Sequence, residues 1–197
     1  FRLCGHPSYG PGTGAVPGAR HGVSRLIAEF LSSSSGWLRG KLVLSLWDGA
    51  DPIPALTSVR WCRKAVAVAE TAEELKLLRS NLRLNWKGFV AERVRTMDMT
   101  SVGVGAKLRK EAFAGKFHAV LSCWPPLSIE AGASESCNRF LSVALPFLAS
   151  DPLAIMAIGL DVKSEPHLKA VIAALSEAPL KVAIELPNDT NSVFESV

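Results

Sequence analysis

Residues 64–85, KAVAVAETAEELKLLRSNLRLN, read as a β-strand that runs directly into an α-helix. Lys64 to Glu70 is a short apolar run with alternating alanine and valine that ends on a carboxylate, as suits a buried strand. Thr71 followed by Glu74 is the T-x-x-E pattern of a capping box, in which two side chains satisfy backbone N–H groups left open at a helix start. Leu75, Leu78 and Leu82 then recur at helical spacing to about Asn85. Upstream, Lys41 to Leu46 (KLVLSL) has the composition of a central strand. Before it, Val23, Leu26, Ile27, Phe30 and Leu31 fall on one face of a helix over residues 21–32, which the serine run Ser32 to Ser35 and Gly36 bring to an end.

The same alternation continues downstream. Val90 to Met97 is a weaker strand, and Gly103 and Gly105 with Lys107, Arg109 and Lys110 suggest a loop and a solvated helix. Phe117 to Cys123 (FHAVLSC) is a strand stopped by Trp124-Pro125-Pro126, because prolines cannot donate to a ladder. Ser134 to Leu148 is helical in pattern until Pro146 bends or ends it. Leu153 to Ile158 is another strand, and Pro166 opens a helix through Leu175. Lys181 to Leu186 and Ser192 to Val197, around Pro187-Asn188-Asp189, suggest a closing hairpin. The pattern predicts an α/β fold: a doubly wound sheet of seven strands, mostly parallel, with a C-terminal antiparallel hairpin. One domain spans residues 1–197, with a leading segment and first helix over 1–36 and the core sheet over 37–197.

Composition agrees with a packed domain. Of 197 residues, 48% are hydrophobic and 20% charged, which supports a sizeable core and excludes disorder on composition. No apolar run approaches the roughly 18 residues needed to span a bilayer, so no membrane partner is expected. The chain begins at Phe1 rather than Met, which points to an upstream segment where a targeting peptide would lie. Cys4, Cys62, Cys123 and Cys137 are scattered without zinc spacing and read as reduced thiols of an intracellular protein. His6, His21, His118 and His167 are single, so neither a metal site nor a triad is supported. The formal net charge of +4 permits an acidic partner such as RNA without demanding one.

Several stretches together resemble the methyltransferase-16 family of seven-strand protein-lysine methyltransferases. They are Gly14-Ala15-Val16-Pro17-Gly18-Ala19, the helix with Leu26-Ile27-Ala28-Glu29-Phe30-Leu31, and Leu38-Arg39-Gly40-Lys41 ahead of the first core strand. The strand and helix of residues 64–85, ending N-x-x-L-N, and an opening FRLCGH are similar to that family too. The resemblance covers roughly residues 1–160. It implies a Rossmann-like fold, S-adenosylmethionine as cofactor, and N-methyl transfer as the ancestral chemistry.

Carried over residue by residue, the resemblance also implies a damaged site. The family's glycine-rich turn after the first strand, E-L-G-x-G-x-G, needs glycines so that backbone can approach the cofactor closely. Its acidic residue falls on Ser45, its first glycine on Trp47 and its last on Asp51, leaving only Gly49. Glu70 matches the acid that accepts hydrogen bonds from the cofactor ribose, and it equally suits the start of a helix with no ligand. Asp98 falls where the family keeps an acid near the adenine. Trp47, Gly49, Asp51, Glu70 and Asp98 are thus the expected cofactor residues, as vestigial or weak contacts. After the fourth strand, methyltransferases that act on nitrogen carry a carboxylate or amide that accepts a proton from the target. Here Trp124, whose indole only donates, and Leu127 replace the acceptor and the aromatic partner, so no residue is assigned as catalytic.

Two losses in a coherent fold point to a catalytically inactive methyltransferase-like domain. Such a domain would need no cofactor and would act as a structural or assembly subunit of a larger complex, with protein partners and RNA as candidates. A mitochondrial ribosome or its assembly intermediate is one example, and the compartment stays open between mitochondrion and cytoplasm. The alternatives are an active S-adenosylmethionine-dependent protein-lysine methyltransferase anchored by Gly49 and Glu70, and an RNA-binding module. The last would use Lys107, Arg109, Lys110 and Lys116, with Arg60, Arg63 and Lys64 elsewhere.

Overall fold

The computed structural model describes residues 19–33, 35–46, 51–69, 71–85, 92–98, 115–123, 133–159 and 165–177. Helix α1 (Ala19–Ser33) leads through a 3-10 turn (Ser35–Leu38) into strand β1 (Leu42–Leu46). The glycine of the Leu38-Arg39-Gly40-Lys41 motif has φ +75°, a left-handed conformation that lets the chain leave the turn and enter the strand. Lys41 then donates from Nζ to Asp151 Oδ2 at 3.1 Å, tying the start of β1 to the chain ahead of the last described strand. Asp151 also accepts from the Leu153 N–H at 2.9 Å. That backbone bond first, and Lys41 second, hold its carboxyl below the usual 3.8.

Five described strands form one sheet in the order β3-β2-β1-β4-β5, and every pairing is parallel. The others are β2 (Lys64–Ala69), β3 (Val94–Asp98), β4 (Ala119–Cys123) and β5 (Ile155–Gly159). Helices α2 (Ile53–Ser58), α3 (Ala72–Asn85), α4 (Ala133–Ala144) and α5 (Glu165–Ser176) connect or follow them. This is the doubly wound order, with β1 central and the chain reversing its direction of travel between β1 and β4. The expected hairpin at Lys181–Leu186 and Ser192–Val197 lies outside the described residues, as does the opening FRLCGH.

The side-chain alternation of a strand divides the core between the two faces of the sheet. On β2, Ala65, Ala67 and Ala69 pack with Ile27 and Leu31 of α1, Leu56 of α2, and Leu75, Leu78 and Leu82 of α3. Val66 and Val68 face the other way, toward Phe140, Leu141 and Ala144 of α4 and Ala174 of α5. The small residues therefore meet one helical layer and the larger ones the other. Each fully buried leucine or phenylalanine on these faces contributes about 1.5–3 kcal/mol relative to exposure.

Four expectations need correction. Residues 53–58, to which the sequence pattern assigns no element, form α2, whose six residues are all buried. Proline is acceptable there because the first helical turn leaves its N–H groups unbonded. The third strand begins at Val94 rather than Val90, since its partner β2 begins only at Lys64 and the pairing opens at Ala65↔Val94. In the fourth, Phe117 lies outside the ladder and makes a single parallel bridge with Leu148. The last begins at Ile155, and Leu153 is 69% exposed.

Candidate functional site

Because every described strand is parallel, their carboxyl ends gather on one edge of the sheet. Leu46 of β1 is in register with Val68 of β2 and Ser122 of β4, while Ala69 and Asp98 end β2 and β3 side by side. The connection after β1 turns toward β2 and the one after β4 turns toward β5. Such a reversal leaves a crevice outside the carboxyl ends, where open α/β sheets bind their ligands. Sequence reasoning placed its expected contacts after these same strands.

Of those contacts, Trp47, Gly49 and Glu70 lie outside the described residues. Asp98 is the last residue of β3 and pairs with Ala69, so it stands at the correct edge. Asp51 is the residue whose surroundings are most fully defined. It is 8% exposed, and its Oδ1 accepts a hydrogen bond from the Ile53 N–H at 2.9 Å in the first turn of α2. A side chain that bonds the backbone two residues on is an Asx-type turn, a common way to satisfy an open N–H at a helix start. Asp51 therefore fills with a carboxylate the position where the resembled family keeps its last glycine. A carboxylate accepts and cannot donate, and it opposes any ligand group of the same charge. At this one position, then, a carboxylate disfavours a ligand's own carboxylate.

Two buried serines complete the described part of this edge. Ser45, where the family keeps an acid, is wholly buried within β1 and in register with Ala67 and Leu121. Ser122 is also wholly buried, and its Oγ has no hydrogen-bond partner among the described residues. No sequence motif singles out Ser122. Its lack of a partner among the described residues depends on what packs around it, which no motif encodes. Among the described residues no three His, Cys, Asp or Glu side chains gather as metal ligands. Trp124 and Leu127 lie outside the described residues.

No protein-family model matches the chain, and no curated protein matches it either. Solved structures do. A predicted O-methyltransferase, protein Atu636 from Agrobacterium tumefaciens, is similar over 75% of this chain and 65% of its own, with TM-score 0.53 and 15% identity. SMU.776, a protein assigned as a methyltransferase and solved in complex with SAH, is similar over 81% of this chain and 40% of its own, with TM-score 0.56 and 12% identity. The chain thus spans about two thirds of the length of one and less than half of the other. At these identities the likeness concerns the fold. The chain has the α/β, Rossmann-like fold found in class I S-adenosylmethionine-dependent methyltransferases.

Proposed function

We propose that this chain is a methyltransferase-like domain that has lost methyl transfer and serves as a structural or assembly subunit of a larger complex. The observation that carries the reading is Asp51. Its buried carboxylate is bonded to the Ile53 N–H where the resembled family presents bare glycine backbone to its cofactor. Trp47 and Trp124, which replace a glycine and a proton acceptor, support it from the sequence. In the same reading the chain descends from the methyltransferase-16 branch, and its C-terminal segment adds an antiparallel hairpin to make seven strands. Its partners are proteins, with RNA, in a mitochondrial or cytoplasmic ribonucleoprotein.

One observation favours a second reading, an active S-adenosylmethionine-dependent N-methyltransferase. The strand order keeps the crevice between the carboxyl ends of β1 and β4 where a nucleotide-like ligand belongs. Calorimetric titration of the whole chain with S-adenosylmethionine separates the two. The first reading expects no saturable binding up to millimolar cofactor. Micromolar binding that Glu70→Ala abolishes would overturn it and establish the second.

A further inference from the structure

The edge of the sheet opposite the crevice collects charge of one sign. Arg39 and Lys41 precede β1, Arg60 and Arg63 precede β2, which opens on Lys64, Arg93 precedes β3, and Lys116 precedes β4. Seven cations thus lie on the segments that start four adjacent strands; among the described residues the carboxylates beside them are Glu92 and, ahead of β5, Asp151, which pairs with Lys41. That local excess is larger than the net +4 of the whole chain. The fold alone makes this patch, since its members come from four separate stretches of sequence.

Backbone hydrogen bonds weld these segments into one surface. The Arg63 N–H donates to the Lys41 carbonyl at 2.8 Å, the Ala65 N–H to the Arg93 carbonyl at 3.0 Å, and the His118 N–H to the Leu42 carbonyl at 3.0 Å. Arg93 Nε donates to the Arg63 carbonyl at 3.2 Å. Arg39, Arg60, Arg63 and Lys116 are exposed. Adjacent strands lie about 4.8 Å apart, so four strand starts form a row roughly 15 Å long. Trp61 sits in this row, half-buried against the core, with the Arg60 guanidinium 5.7 Å from its ring centroid.

We propose that this amino-terminal edge of the sheet is a binding surface for single-stranded RNA. Four of the seven cations are arginines, whose planar forks match phosphate oxygens better than a lysine point charge does. Part-exposed Trp61 beside this row adds an aromatic side chain against which a base can pack while the cations neutralise successive phosphates. An acidic protein would meet the same charge, and competition by polyglutamate separates it from RNA. The surface lies opposite the crevice, so it stands whether or not the domain transfers methyl groups.

The test is fluorescence anisotropy of a labelled twelve-nucleotide oligouridine with the whole chain, from 50 to 200 mM salt. These concentrations are on the order of those over which phosphate contacts weaken. Binding should weaken with salt at a slope of about −0.7 per phosphate neutralised. Arg60→Glu with Arg63→Glu should reduce affinity about tenfold or more, and Arg39→Gln with Lys116→Gln should reduce it less. Arg25→Gln, an exposed residue of α1 paired with Glu29, should leave it unchanged. Circular dichroism checks that each variant is folded. Absence of binding at low salt, indifference to both edge variants, or equal competition by polyglutamate would overturn the proposal, the last in favour of an acidic protein.

Discussion

At the scale of single residues, burial decides chemistry that composition leaves open. Cys62 was one of four scattered cysteines read as reduced thiols, and it is free and wholly buried at the turn between α2 and β2. Burial pushes its thiol up to about 11 from 9.0, outweighing the nearby Ser58 hydroxyl and Arg93 charge. The folded protein therefore holds the proton more tightly than the unfolded chain. The associated stability is intact below pH 9 and is lost as pH rises to about 11, a loss of up to about 3 kcal/mol. Chemical denaturation between pH 8 and 11 should show that decline, and Cys62→Ala should flatten it. The same series taken to acid should read Asp151, whose lowered carboxyl favours folding above 3.8 and ceases to as pH falls through its native value. In native protein at pH 8, iodoacetamide should label Cys62 about a hundredfold more slowly than in the unfolded chain, as peptide mass spectrometry would measure.

At the scale of elements, the sequence was most legible where local chemistry and periodicity agreed. Helix α3 was expected from Thr71, Glu74 and the leucine spacing, and the structure shows the Thr71 half of the capping box and the buried leucine stripe. The Glu74 N–H donates to Thr71 Oγ1 at 3.1 Å, while Leu75, Leu78 and Leu82 are buried. Thr71→Ala should lower stability by about 1 kcal/mol in urea denaturation while leaving the slope of the transition unchanged. Helix α2 was not legible, and the reason is physical. Its six residues are too few to display a helical period, and every one is buried, so there is no polar face to contrast with an apolar one. Pro52 and Pro54 at its start are compatible with a helix only in its first turn, where no N–H donor is required. Strand β3 was found but misplaced, because strand limits are set by the partner strand rather than by the strand's own residues.

At the scale of the whole molecule, one sheet separates two cores and two edges. Ile27 belongs to the core between the sheet and α1–α3, and Phe140 to the core on the opposite face. Substitutions in the two should act independently, because no side chain is shared across the sheet. Ile27→Val and Phe140→Leu should each cost about 1 kcal/mol, and the double variant should equal their sum within about 0.5 kcal/mol. A larger coupling in denaturant titration would mean the layers communicate through the sheet. The sequence by itself determined the alternation of strands and helices and the burial of the leucine stripes. Those follow from local periodicity and residue chemistry, which act over a few positions. Only the tertiary structure decided the strand order, the hydrogen bond that engages Asp51, the burial of Ser122 and the assembly of the basic edge. Each of these depends on which distant segments the parallel pairing brings side by side, and no local pattern carries that information.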